Sequence, residues 1–251
     1  MYQQFKDCAP KEFLHDADPC GRQLVFVPDS PELQAAISML IENGISYRLF
    51  SDTAHTRKEL SETPFFFLDA SYPLELEGTS LIDYGTQYQG VCPRCGFGGH
   101  RVGDIFVDRK FVKKVKIAHL IPEIVVSPGI KYLIESNGLT GISFPSMVRD
   151  FKGREINPLY VADIHSVLPP MSNSTWLMYS DVLSCGHGTL YLQSDMQYEE
   201  SKLEPAKDFN LTYEYLNNWK IRHIVVSKRV RDIFNSSGIK LRYKPVTILD
   251  D

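Results

Sequence analysis

A repeat at an offset of one hundred residues constrains this chain more than any other feature. Ile124-Val125-Val126-Ser127 returns as Ile224-Val225-Val226-Ser227, and the pair Gly138-Leu139 returns as Gly238-Ile239. Between them, Ile130, Leu133 and Ile134 match Val230, Ile233 and Phe234. A β-branched run, a serine cap, apolar residues at helical spacing and a glycine stop predict strand, helix and then a second strand. The second strands are expected over Gly141 to Phe144 and Lys240 to Tyr243. A cysteine-glycine knuckle precedes each copy: Cys92-Pro93-Arg94-Cys95-Gly96-Phe97-Gly98 before the first, Cys185-Gly186-His187-Gly188 before the second. The expected fold is therefore α+β, with two related zinc-knuckle plus strand-helix-strand halves behind an N-terminal α/β segment. The corresponding domains are 1–89, 90–150 and 151–251.

The knuckles carry the chemistry. A Cys-x-x-Cys-Gly turn presents two thiolates together, and its glycine permits the positive backbone dihedral that such a turn needs. A structural zinc takes four ligands, so two more must come from elsewhere. Aligning Cys95-Gly96-Phe97-Gly98 with Cys185-Gly186-His187-Gly188 supplies them. Cys92, Cys95, Cys185 and His187 then form a three-cysteine, one-histidine zinc site. The alternatives are a decayed site in which Cys185 is a small buried residue, and a redox dithiol. The latter is disfavoured because the motif leads into a glycine turn rather than a helix. Cys8 and Cys20 lack knuckle spacing and read as ordinary thiols.

Composition narrows the partners. The chain has 251 residues, a hydrophobic fraction of 43% and a charged fraction of 23%, as expected for a globular protein with a full core. No apolar run is long enough to span a bilayer, and the polar, acidic N-terminus lacks signal-peptide character. These features, with an odd count of five cysteines, point to the cytoplasm and to metal rather than a disulfide framework. A net charge of −4 argues against a general nucleic-acid binder.

Elsewhere, Leu24 to Val27 reads as a strand and Ser30-Pro31 as a helix start. Asn43-Gly44 is the helix stop and Ile45 to Phe50 a further strand, so this segment resembles a diverged third copy. Phe65 to Leu68 is a short buried strand. Val102 to Val107 and Phe111 to Ile117 suggest a hairpin whose lysines face solvent, and residues 145–181 look loop-rich. No nucleophile elbow, phosphate loop or zincin motif is present.

The Cys92 to Gly96 knuckle and the stretch Ile124 to Phe144, with its Gly-Leu-Thr-Gly-Ile-Ser-Phe turn, resemble the double-CXXCG-motif proteins. Ser184 to Gly188 and Ile224 to Tyr243 echo them more faintly. That family is encoded beside bacterial polymorphic toxins and is read as their immunity proteins. Here the second motif has lost its first cysteine and carries Cys185-Gly186-His187 instead. The resemblance covers about half of the chain and implies a cytoplasmic protein that binds and neutralises a cognate toxin rather than catalysing a reaction.

An acidic protein is suited to covering the basic cleft of a nuclease-type toxin. Two segments mix carboxylates with tyrosines in the manner of interface anchors. One holds Asp69, Tyr72, Glu75, Glu77, Asp83, Tyr84 and Tyr88; the other holds Asp195, Tyr198, Glu199, Glu200, Glu204 and Asp208. Each could equally be a solvated loop. The rival expectation is a zinc-ribbon-like nucleic-acid-associated protein. It would use the Arg109 to Lys116 stripe and the aromatics Phe97, Phe106 and Phe111. An enzyme enlisting Asp163, His165 and His187 is a third class, although nothing in their spacing compels it.

Overall fold

The computed structural model describes residues 30–45, 55–69, 85–94, 97–109, 116–120, 123–179, 184–188, 190–216 and 221–250. The chain divides into two compact units, Met1–Ser51 and Asp52–Asp251. The described residues are mixed α+β, with many short strands and few helices.

In the first unit, helix α1 spans Pro31–Glu42. The Ser30 hydroxyl accepts the Leu33 N–H and Pro31 sits where no intrahelical donor is required. At the other end Gly44 takes φ +62°, its N–H reaching the Ile41 carbonyl and the Ile45 N–H reaching that of Leu40. This is the paired Schellman closure. The expected strand at Leu24 to Val27 lies outside the described residues, as does the one beginning at Ile45 beyond that residue.

In the second unit, α2 (Arg57–Glu62) and β1 (Phe65–Asp69) precede β2 (Gln87–Gln89), β3 (His100–Val102) and β4 (Ile105–Val107). Next come β5 (Ile117–Leu120), β6 (Glu123–Val126), α3 (Pro128–Ser136), β7 (Ile142–Asp150) and β8 (Glu155–Ile164). The remainder is β9 (Leu177–Tyr179), β10 (Leu190–Leu192), β11 (Gln197–Glu199), a 3-10 turn (Glu200–Leu203), β12 (Phe209–Leu216), β13 (Ile221–Ser227), α4 (Lys228–Ser236), β14 (Arg242–Pro245) and β15 (Thr247–Leu249). A capping box starts α2: Thr56 and Glu59 exchange backbone and side-chain bonds of 2.7 and 3.2 Å.

Both copies of the repeat fold as strand, helix, strand: β6-α3-β7 and β13-α4-β14. Ile130 and Ile134 of α3 are buried, as are Val230 and Phe234 of α4. The two helices end in the same Schellman closure as α1. Leu139 N–H reaches the Ile134 carbonyl at 3.1 Å, and Ile239 N–H that of Phe234 at 2.9 Å.

In each copy a third strand runs antiparallel between the two that flank the helix. Strand β8 pairs with both β6 and β7 in a sheet ordered β4-β7-β8-β6-β5. Strand β1 pairs with both β13 and β14 in a sheet ordered β14-β1-β13-β12-β10-β9. The inserted strands come from opposite directions in sequence, β8 from just after its copy and β1 from far before. Strands thus pair across the boundaries expected at 89 and 150. Strand β1 completes the second copy's sheet, and β8 is central to the first's.

Burial explains the shared Ile-Val-Val run. Ile124, Val126, Ile224 and Val226 face one common core with α3, α4, Phe66, Leu68 and Phe209. Val125 and Val225 point the other way, into separate clusters. Each strand is covered on both faces, so every residue of the run is apolar.

One expected loop and one expected hairpin strand differ in the structure. Residues 142–164 form the long β7-β8 hairpin, in which Pro145 is accommodated by a register shift between Ser143 and Ser146. Val102 to Val107 is not one hairpin strand. It breaks at Gly103 (φ +75°), and β4 then pairs parallel with β7 while β5 lies at the far edge of that sheet.

Candidate metal centre

The knuckle is held by the β2-β3 hairpin. Tyr88 stands opposite Arg101 and Gln89 opposite His100, and the Cys92 N–H donates to the Phe97 carbonyl at 2.8 Å. A side chain at Gly99 is excluded, because its Cβ would lie 2.6 Å from Val91 Cγ2 and 3.0 Å from the Gln89 carbonyl. Behind the hairpin, Arg101 Nε lies 3.2 Å from a Glu123 carboxylate oxygen, with the two side chains 8% and 13% exposed. Burial raises the Glu123 carboxyl above the usual carboxylate range, opposed mainly by Arg101. Burial, then the Glu123 charge, raises the Tyr88 phenol. This ion pair fastens the hairpin to the start of β6.

Residues 184–188 bring the second knuckle alongside. Gly186 takes φ +82°, and Arg94 Nη1 donates to the Ser184 carbonyl at 3.4 Å. Cys92 Sγ, Cys185 Sγ and a ring nitrogen of His187 all lie within 4.8 Å of one another, each residue half-buried. Tetrahedral zinc with bonds near 2.0–2.3 Å separates its ligand atoms by about 3.3–3.8 Å, so modest contraction would close these donors around an ion. Two thiols and an imidazole also suit a borderline-soft metal. Cys95 lies outside the described residues.

The Phe97 ring stacks on the His187 imidazole with centroids 4.4 Å apart and planes at 17°. On Phe97 leans Tyr215, at 4.9 Å and 52°. Arg222 lies over the Tyr215 ring at 4.7 Å. Sequence reading missed this stack. Its one local signal is that Phe97 and His187 occupy the same position when the knuckles are aligned.

The expected contact residues are dispersed. Tyr72, Glu75, Glu77, Asp83 and Tyr84 lie outside the described residues, and Asp69 ends β1 opposite Arg242. Tyr88 turns its hydroxyl inward. Asp195 lies 3.9 Å from His55 Nε2, and Glu199 pairs with Lys202. Glu200 and Glu204 are exposed.

Two of the expected contact residues are buried. Tyr198 is completely buried, because the middle residue of β11 faces a core. Asp208 is buried at the junction of the two copies, accepting from Thr140 N–H at 2.9 Å, Thr140 Oγ1 at 3.0 Å and Ser227 Oγ at 2.7 Å. Neither presents its side chain to a partner in this conformation. On the rival stripe, Arg109 and Lys116 are exposed, while 110–115, including Phe111, lie outside the described residues.

No family model and no curated protein matches the chain. No helix among the described residues is long and apolar enough to cross a membrane.

Proposed function

We propose that this protein is a zinc-stapled binding protein that neutralises a cognate bacterial toxin by covering its active site. The observation that carries the reading is the convergence of Cys92, Cys185 and His187 from knuckles that precede different copies of the repeat. The Cys-x-x-Cys spacing nominates Cys95 as the fourth ligand, and an ion so held would cross-link the two knuckles without taking part in a reaction. A closed site of this composition is structural, since a catalytic zinc keeps a position open for water or substrate. The toxin-neutralising role is supported by the double-CXXCG resemblance and by the net negative charge. On the described surface Glu200, Glu204 and Tyr213 are exposed and add to that support.

The test is co-expression with the toxin domain encoded by the neighbouring gene. Cells should survive only when this protein is present, and the two chains should co-purify stoichiometrically. Reversing Glu199 and Glu200 should slow association and reduce its salt dependence while leaving the fold intact. Absence of any protected toxin, together with salt-sensitive RNA binding, would favour the nucleic-acid reading instead.

A further inference from the structure

The ring stack beside the candidate ligands has a direction. It begins on the face of His187, passes through Phe97 and Tyr215, and ends under the Arg222 guanidinium. We infer that Phe97 is a positioning residue for the metal centre, clamping the His187 imidazole in its ligating plane, and that Tyr215 and Arg222 hold Phe97 there. This inference rests on the metal-centre reading and goes beyond it, because none of these three side chains is a ligand.

An imidazole binds a metal through a lone pair that lies in the ring plane, so the plane must contain the ion. A histidine on a short, glycine-flanked turn such as Gly186-His187-Gly188 has little backbone restraint on that plane. Ligating histidines are usually oriented by surrounding groups, and those groups matter nearly as much as the ligands. A flat ring 4.4 Å away and only 17° from parallel restricts rotation of the imidazole about its Cβ–Cγ bond. It also removes water from one face of the ligand.

Phe97 is suited to this task by its backbone as well. Its carbonyl closes the first knuckle onto the Cys92 N–H, so the residue that shapes the turn around one thiol also orients the imidazole of the other knuckle. Phe97 and His187 occupy the same position in the aligned knuckle sequences and meet face to face in the fold. One supplies a donor atom and the other supplies a wall. Tyr215, on β12, and Arg222, paired with it on β13, belong to the larger sheet, so the clamp is braced by regular structure.

Cobalt(II) titration of the full chain tests this, read by the thiolate charge-transfer and ligand-field bands and by competition with a chromophoric chelator. Phe97→Leu keeps apolar bulk but lacks a flat face. It should weaken cobalt binding about 10- to 100-fold, the usual effect of removing a group that orients a ligand. Phe97→Tyr should recover most of that loss. Tyr215→Leu should weaken binding in the same direction by less, and this variant decides the matter if Phe97→Leu does not fold. Parent chain that binds no cobalt overturns the metal centre and the clamp together. Parent chain that binds cobalt, with Phe97→Leu or Tyr215→Leu binding equally tightly, overturns the clamp alone.

Discussion

Asp104 shows how much one carboxylate can do in the turn between two short strands. One oxygen accepts the Met147 N–H at 2.9 Å and the other pairs with Arg149, tying the turn before β4 to β7. Burial pushes its carboxyl upward, but the Met147 N–H and Arg149 outweigh that, and the net direction is below the ordinary value. A depressed carboxyl contributes stability that is present above its unfolded value, near 4, and is lost as pH falls through the lower folded value. Asp104→Asn should therefore cost about 1 kcal/mol at pH 7, a modest figure for a charged but partly solvated hydrogen-bonded group. Urea denaturation from pH 7 down to pH 3 should show the gap between variant and parent narrowing below about pH 4. A constant gap would mean that packing, not charge, is responsible. Residues such as Asp104, Asp208 and Tyr198 were the least legible from sequence. Their partners are distant in the chain, and an acidic, tyrosine-bearing stretch reads as surface whether or not its strands turn those side chains inward.

At the scale of elements, the Gly138-Leu139-Thr140-Gly141 turn is both a helix stop and a joint. Gly138 closes α3, Leu139 is buried, and Thr140 exchanges hydrogen bonds with Asp208. Gly141 takes φ +86°, where a Cβ would lie 2.1 Å from the Phe209 carbonyl oxygen. Gly141→Ala should destabilise the protein by about 3 kcal/mol or more, combining left-handed strain with a backbone clash. Gly238→Ala, at φ +72° but with open space around the Cβ, should cost about 1 kcal/mol. Comparable losses in thermal or urea melts would show that dihedral strain, rather than the close approach, governs Gly141. The repeat itself was readable because strand, helix and stop are set by neighbours within a few residues. The purpose of Thr140 and Gly141 was not, since their partners sit in β12 and the loop before it. Prolines misled in the opposite direction: Pro145 and Pro158 suggested loops, but a register-shifted hairpin carries both.

For the whole molecule, the knuckles bring together chain segments that the sheets hold only in part. If zinc joins them, the purified protein should carry about one ion per chain. Saturating zinc, at about a thousand times its dissociation constant, should raise the thermal midpoint over the chelated form by roughly 8–16 °C. Cys92→Ser and Cys185→Ser should abolish that increment, whereas Cys8→Ser should preserve it; elemental analysis and paired melts provide the check. The sequence foretold which cysteines and histidine to compare, and the structure brings Cys92, Cys185 and His187 together. It did not foretell the threading of the sheets, because nothing in Phe65 to Leu68 says which distant strands it will separate. That threading has a consequence during synthesis. Strand β1 is translated early, yet both strands that flank it, β13 and β14, are among the last to emerge. At bacterial and eukaryotic elongation rates the Phe65-Phe66-Phe67-Leu68 segment waits roughly 8–30 s with neither neighbour made. Through that interval a phenylalanine-rich strand with two open edges is a ready template for other nascent chains, so the ribosome-bound protein is the form most in need of a chaperone.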